Sequence, residues 1–290
     1  MPDPRAPELT RCPQVSPQAY AEPAASDPEQ LVSAVHSGRW RAAVASVCGT
    51  SHNKAGARCQ DRHFLITEPE NVLFAAISDG AGSAARSEVG ADLAARSAVQ
   101  ELQRWRALSA PWPVSNEEWA PVMLRALEAA RDAVEREAEV QGISPRDLAS
   151  TLIVLLATPD LVVAAQIGDG AAVVADADNN LVALTSPQTG EYLNETTFLI
   201  SPRAVEQAQT TVWHGRVAFL AAFSDGLQML ALRMSDSTPH APFFNPLFRF
   251  LQEQEDMEEA GRQLQAFLTS PRITQRADDD LTLLLAYCPD

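Results

Sequence analysis

Apolar and polar positions along the chain alternate in blocks of two periods. Short apolar runs closed by turn residues predict buried strands. Residues 41–48, 64–67 and 71–78 (NVLFAAIS) are such runs, the last ending in Asp79-Gly80. The second is placed to pair with the first. The period then lengthens. Glu88, Val89, Ala91, Leu93, Ala94, Ala98, Val99 and Leu102 predict an alanine-rich helix starting near Ser87, a good N-cap residue, and ending before Pro111 and Pro113. Residues 116–141 predict a second helix, with Val122, Leu124, Leu127, Ala130 and Val134 on its apolar face and Gly142 past its end.

Strand patterns resume at 151–157 and 161–167, separated by the turn signal Thr158-Pro159-Asp160. Residues 171–175 follow Gly168-Asp169-Gly170, and 181–184 follow Asp178-Asn179-Asn180, which together read as a meander of antiparallel hairpins. Residues 217–224 form another strand ending in Asp225-Gly226, and 281–287 the last. Between them, 244–268 reads as one helix whose acids Glu253, Glu255, Asp256, Glu258 and Glu259 make a solvated face. Strands in meanders interrupted by helix pairs define a layered α+β protein, not a parallel doubly wound sheet. The first stretch differs. Pro2, Pro4, Pro7, Pro13, Pro17, Pro23 and Pro28 preclude regular structure, so 1–38 reads as a flexible arm with one short helical turn near 28–35, and 39–290 as the folded domain.

Composition narrows the function classes. The 290 residues carry 38 acidic against 22 basic side chains, a net charge of −16, and 46% are hydrophobic. That apolar content supports a sizeable core. The acidity excludes nucleic acid and anionic membrane as partners, because both need clustered Lys and Arg. Four cysteines (Cys12, Cys48, Cys59, Cys288) lie scattered with no C-x-x-C pair, which reads as reduced thiols. There is no basic-then-apolar leader pattern and no apolar run near the roughly 18 residues that span a bilayer. A cytoplasmic location is expected.

The candidate chemistry is positional. Asp79, Asp169 and Asp225 each follow a strand and precede glycine, Asp279 precedes the last strand, and Asp61 lies between the first two. One Asp-Gly is an ordinary turn. Five acids at strand mouths sharing one core would repel unless protonated, solvated or neutralised by cations. Hard oxygen ligands suit Mg²⁺ or Mn²⁺ rather than Zn²⁺, and glycine after an aspartate lets a backbone carbonyl approach a metal without a Cβ in the way. Two such ions acidify water and clamp phosphoryl oxygens, so the expected reaction is metal-assisted hydrolysis of a phosphate ester.

The motifs Cys59-Gln60-Asp61, Ser78-Asp79-Gly80-Ala81-Gly82-Ser83, Ser150-Thr151, Ile167-Gly168-Asp169-Gly170, Ser224-Asp225-Gly226 and Asp278-Asp279-Asp280-Leu281-Thr282, in this order, resemble the metal-dependent protein phosphatase 2C family, in its compact bacterial branch. The resemblance implies a four-layer fold, two antiparallel sheets in a β-sandwich flanked by helix pairs. It implies a binuclear Mn²⁺ or Mg²⁺ centre with a third, weaker site, and serine/threonine phosphoprotein phosphatase activity by a metal-bridging hydroxide. Asp79 matches the aspartate that bridges the metals, and Gly80 the glycine that offers a carbonyl. Asp225 and Asp279 match direct carboxylate ligands. Asp61 matches an acid that holds metal-bound water, and Asp169 an acid of the third site. The substrate implied is a phosphorylated protein, such as the target of a cognate kinase.

The chain departs from the family at three places. Gln60 stands where a glutamate is common, Gly56 where a phosphate-binding arginine is usual, and Ala81 where some members have a histidine. Arg58 is the nearby substitute for the arginine, and His52 or His63 for the proton donor. The polar segment 190–198, with Tyr192 and Glu195, is expected to line the substrate entrance. The alternative function is a catalytically weak phosphatase-like module that binds phosphorylated partners, motivated by Gln60 and the displaced arginine.

Overall fold

The computed structural model describes residues 30–108, 112–188, 196–233 and 235–289. In chain order the strands are β1 (Gln30–Ser37), β2 (Trp40–Val47), β3 (Arg62–Glu68), β4 (Val72–Ser78), β5 (Leu152–Thr158), β6 (Leu161–Ile167), β7 (Ala171–Asp176), β8 (Leu181–Ala183), β9 (Gln209–His214), β10 (Val217–Phe223) and β11 (Leu281–Tyr287). The helices are α1 (Thr50–Ala55), α2 (Ser87–Leu108), α3 (Trp119–Gln141), α4 (Gln228–Ala231), α5 (Ala241–Glu253), α6 (Met257–Leu268) and α7 (Pro271–Thr274). One sheet runs β1-β2-β11-β10-β7-β8 and the other β3-β4-β5-β6-β9, with every pairing antiparallel.

Both faces of each sheet are covered, which explains the unbroken apolar runs. On β4, Val72, Phe74 and Ala76 meet α2 and α3, while Leu73, Ala75 and Ile77 face the other sheet. On β11, Leu283 and Leu285 meet α5 and α6, while Leu284 and Ala286 face inward. The period-2 alternation of a strand thus separates three cores, giving the order helices, sheet, sheet, helices. Alanine is the working residue of α2: Ala91, Ala94, Ala95 and Ala98 are fully buried and let the helix lie close to β4. Three tryptophans, Trp105, Trp112 and Trp119, cluster at its far end with ring centroids 5.5–5.8 Å apart.

Four expectations need correction. Residues 30–37 are not part of an arm with a helical turn. They form β1, paired along its length with β2, because the proline run stops at Pro28 and Val32 and Ala34 pack on the α6 side. The rest of the expected arm, 1–29, lies outside the described residues. Next, β3 pairs with β4, in the other sheet from β2, through a tight hairpin with positive φ at Glu70 and Asn71. Third, the meander breaks at Gly168-Asp169-Gly170, where the chain crosses from β6 to β7 in the opposite sheet. Last, 244–268 is two helices. The first ends at Glu253, and Asp256 caps the second, its Oδ1 accepting from the amides of Glu258 (2.9 Å) and Glu259 (3.2 Å).

Candidate metal centre

The inward face of the sandwich changes character in its last row. Ala42 and Val44 on β2, Leu284 and Ala286 on β11, Leu220 and Ala222 on β10, Ala75 and Ile77 on β4, Ile153 and Leu155 on β5 and Leu65 on β3 form the dry inter-sheet core. Two residues further on, the same parity brings Ser46, Thr282, Ser224, Asp79, Thr151 and His63, with Asp61 one step beyond His63. All seven except Asp79 are at most 5% exposed. Apolar packing ends there and polar chemistry begins, at one edge of the two sheets.

At that edge the carboxylates of Asp79, Asp169 and Asp225 converge, with one oxygen from each within 4.8 Å of the others. Backbone pairing fixes them. Asp79 N donates to Thr151 Oγ1 (3.0 Å) and Thr151 N to the Asp79 carbonyl (2.8 Å), so β4 and β5 are pinned at the mouth. The Gly80–Ser150 bridge uses Ala81 N to Ala149 O (2.9 Å) as its second bond, which leaves the Gly80 carbonyl outside the pair. A Cβ on Gly80 would sit 2.8 Å from Ser87 Cβ and from the Gln60 carbonyl, and one on Gly226 would collide with the Asp280 carbonyl. Both glycines therefore let separate strand mouths close on one another, a use beyond exposing a carbonyl. Asp169 is held from two sides: Thr196 Oγ1 donates to its Oδ2 (2.6 Å) and Gln228 Nε2 to its backbone carbonyl (2.5 Å).

The electrostatics are those of acids without counter-charge. Burial, then Asp280, pushes Asp61 up to about 7. Burial, then the Asp61 and Asp225 charges, holds Asp79 well above the usual carboxylate range. Burial, then Asp169, pushes Asp225 up to about 6. Two buried oxygens, Asp61 Oδ1 and Asp169 Oδ1, have no hydrogen-bond partner among the described residues. Converging carboxylates, raised proton affinity and orphaned oxygens are the donor chemistry that suits a hard divalent cation, so this set fits Mn²⁺ or Mg²⁺.

The remaining expected residues fall differently. Asp279 is exposed, outside the converging trio, yet its charge acts on Asp225, and its Oδ1 accepts from Asp280 N (2.8 Å). Asp280, not singled out from the sequence, is buried. Its oxygens accept from Gly49 N (2.7 Å) and Gln60 N (2.5 Å), and His52 Nδ1 lies 2.9 Å away. Cys48 also approaches this pair, but Asp280 is already occupied by the two amides, so the group reads as a clamp on the loop that carries Asp61. The structure thus turns His52 to Asp280. Arg58 is exposed, and Gln60 Oε1 is buried without a hydrogen-bond partner among the described residues. Glu195 and most of the entrance segment, its residues 190–195, lie outside the described residues. Thr196, Thr197 and Phe198 line a groove of about 1550 Å³ together with Ser83, Arg146 and Arg203.

A four-layer sandwich whose open edge gathers uncompensated carboxylates defines a class: a hydrolase that works with divalent metal ions. Comparison with known proteins makes this particular. A sequence model of the protein phosphatase 2C family matches residues 48–269. Serine/threonine-protein phosphatase 3 of Escherichia coli (strain K12) is 36% identical over 253 residues, covering 85% of this chain and 98% of the relative. The serine/threonine phosphatase of S. agalactiae superposes with a TM-score of 0.56 at 16% identity, covering 90% of this chain and all of the other. The catalytic domain of the phosphatase PstP, solved with two manganese ions, gives 0.54 at 18% identity, covering 87% and 99%. At such identities the solved structures bear on the fold. This chain belongs to the protein phosphatase 2C family.

Proposed function

We propose that this chain is a metal-dependent serine/threonine phosphoprotein phosphatase, a phosphoric monoester hydrolase that uses Mn²⁺ or Mg²⁺. The observation that carries this reading is the convergence of Asp79, Asp169 and Asp225 at the polar end of the sandwich, with family membership behind it. Asp79, central in the row, is assigned as the shared ligand of two ions, with Asp225, Asp279 and the Gly80 carbonyl completing their anchors and Asp169 serving a third. Asp61 stands behind them to hold water. Divalent ions at such a site supply Lewis acidity, which acidifies water and neutralises phosphoryl oxygens.

The protein's own contribution is placement. Thr196 and Gln228 fix Asp169, Ser224 fixes Asp61, and the Asp280 clamp fixes the loop before it. The groove lined by Arg146, Arg203 and Phe198 is open enough for an extended phosphopeptide, and the polar segment before Thr196 would border it. A catalytically weak binding module is not favoured, since every acidic position of the expected ligand set is filled. Among the described residues no helix is long and apolar enough to cross a membrane. The cytoplasm is the location that fits the proposed phosphoprotein substrates, including the target of a cognate kinase.

The test is hydrolysis of a phosphoserine peptide and of an aryl phosphate with Mn²⁺ and with chelator. Metal-dependent release of phosphate, abolished in Asp79→Asn, is expected. Equal rates with and without chelator would overturn the reading.

A further inference from the structure

The turn that presents Asp169 is held from within by a buried amide, and the metal-ligand reading makes no use of it. Gln166, the second-last residue of β6, is fully buried. Its Nε2 donates to the carbonyls of Gly170 (2.7 Å), Gly168 (3.0 Å) and Ser186 (3.1 Å), so two protons serve three oxygens. Its Oε1 accepts from Thr185 Oγ1 (2.5 Å), which itself accepts from Ala172 N (3.0 Å). Gln209, the register partner of Gln166 on β9, takes both backbone groups of Ser186. Its Nε2 donates to the carbonyl (2.7 Å) and its Oε1 accepts from the amide (3.2 Å). Gln188 closes the ring from outside: its N donates to the Gly168 carbonyl (3.1 Å) and its Oε1 accepts from Gly168 N (3.2 Å).

The Gln166 amide fits only one way round. A backbone N–H donates to Thr185 Oγ1, so the hydroxyl keeps its own proton for Gln166 Oε1. Turned over, the amide would set Oε1 against three carbonyl oxygens, none of which can donate. The carbonyls on either side of Asp169 therefore point to Gln166, while the Asp169 carbonyl points the other way, to Gln228 Nε2. Gly168 permits this close turn: it has φ +111°, and a Cβ there would lie 2.5 Å from Thr151 Cβ. A buried carbonyl left unmet costs more than an ordinary hydrogen bond gains, so without the Gln166 donor the turn would have to shift.

We propose that Gln166 is a positioning residue: its one buried amide ties the turn that presents Asp169 to Thr185 and Ser186, and so fixes Asp169 against the groove wall. Pro187, Gln188 and Gln209 belong to that wall, as does Thr196, which reaches back to Asp169 Oδ2. The effect on metal binding rests on the phosphatase reading above, in which Asp169 serves an ion, whereas the amide tie itself does not. Groups set behind metal ligands commonly affect metal affinity or activity by about 10- to 100-fold.

The test has two arms on the full chain. In the first, NMR of the metal-free wild type assigns the Gln166 side-chain amide from its own backbone and follows its exchange with deuterium. Protection like that of the β6 backbone amides is expected. Exchange as fast as an exposed glutamine amide overturns the tie even if no variant folds. In the second, Gln166→Met keeps the length and removes the donor, and Thr185→Val removes the hydroxyl alone. By calorimetry, each should weaken the Mn²⁺ binding step that Asp169→Asn abolishes by at least about tenfold, and Thr185→Ser should restore it. Either variant, folded and with the wild-type Mn²⁺ isotherm, overturns the positioning role. A wild type that binds no Mn²⁺ would count against the proposed function, while exchange at the Gln166 amide would still decide the tie.

Discussion

Asp61→Asn should stabilise the metal-free protein, and by an amount that depends on pH. The side chain is fully buried among other acids, and Ser224 Oγ donates to its Oδ2 (2.7 Å). An unfolded chain releases the Asp61 proton near 3.8, whereas the folded, metal-free protein holds it to about 7. Between those values the folded state binds more protons than the unfolded one, so stability falls as pH rises and levels off above about 7. The full difference amounts to about 4 kcal/mol. Asparagine accepts the Ser224 hydrogen bond through its carbonyl oxygen and carries no charge. In urea unfolding with chelator, the variant and wild type should therefore diverge with pH, the gap widening by about 4 kcal/mol between about pH 4 and about pH 8. Taking the difference between the two proteins cancels the titrating groups that Asp61 does not act on, above all His63. Burial holds that ring down to about 3, which lowers stability in acid, the opposite trend. With saturating Mn²⁺ the gap should close or reverse, because the ions then supply the charge that asparagine no longer needs. A gap that stays constant with pH would refute the claim that Asp61 is a buried, uncompensated acid.

Four further outcomes follow from the same geometry. Asp225→Asn should keep the fold by circular dichroism, lower kcat/KM at least about 100-fold and shrink the thermal shift produced by Mn²⁺. Mn²⁺ at about 100 times its Kd should stabilise the wild type by about 2.7 kcal/mol at neutral pH, seen as a rise in urea midpoint, and by less in acid, where the carboxylates hold protons. Gly226→Ala drives a Cβ into the Asp280 carbonyl and Leu281, so it should cost about 1–3 kcal/mol in urea unfolding and reduce activity with it. Trp119→Ala empties the centre of the three-tryptophan cluster, far from the acids. It should cost about 3–5 kcal/mol while leaving kcat near wild type where the protein is folded.

The parts of the fold that were legible in the sequence are those with two buried faces. β4, β5, β6, β10 and β11 are continuous apolar runs, and α2 and α3 carry clear apolar faces with glycine or proline at their ends. β9 was missed because QTTVWH is half-buried and polar in composition, with its pairing to β6 supplying what its side chains do not. β1 was hidden by the prolines before it. Sheet membership was illegible for a different reason. An antiparallel partner is set by the turn that precedes it, and the β3–β4 turn puts Glu70, a residue with no preference for positive φ, in the left-handed region beside Asn71. The break at Asp256 did carry a signal: an aspartate with Glu259 three residues on resembles a helix start, but the apolar spacing either side ran on through it.

The acids at strand mouths were legible one at a time as Asp-Gly turns. What joins them is strand parity. Counting outward from Ala42, Val44 or from Leu284, Ala286 in steps of two predicts that Ser46 and Thr282 share the inward face with Asp79, Ser224 and His63. It also predicts that Asp280 is buried while Asp279 turns outward, as both do. A dry inter-sheet core tolerates polar side chains only where they pair with one another or reach an open edge. Ser46, His63, Thr282 and Ser224 pair, and the orphaned oxygens of Asp61 and Asp169 lie at the open end. The hydroxyls of one inward row are therefore a consequence of placing carboxylates at its end. They carry hydrogen bonds from the protein interior to acids whose charge only cations can offset. The net charge of −16 is accordingly concentrated, in part, where an anionic phosphate must dock, which is reasonable only if metal ions reverse the local sign first.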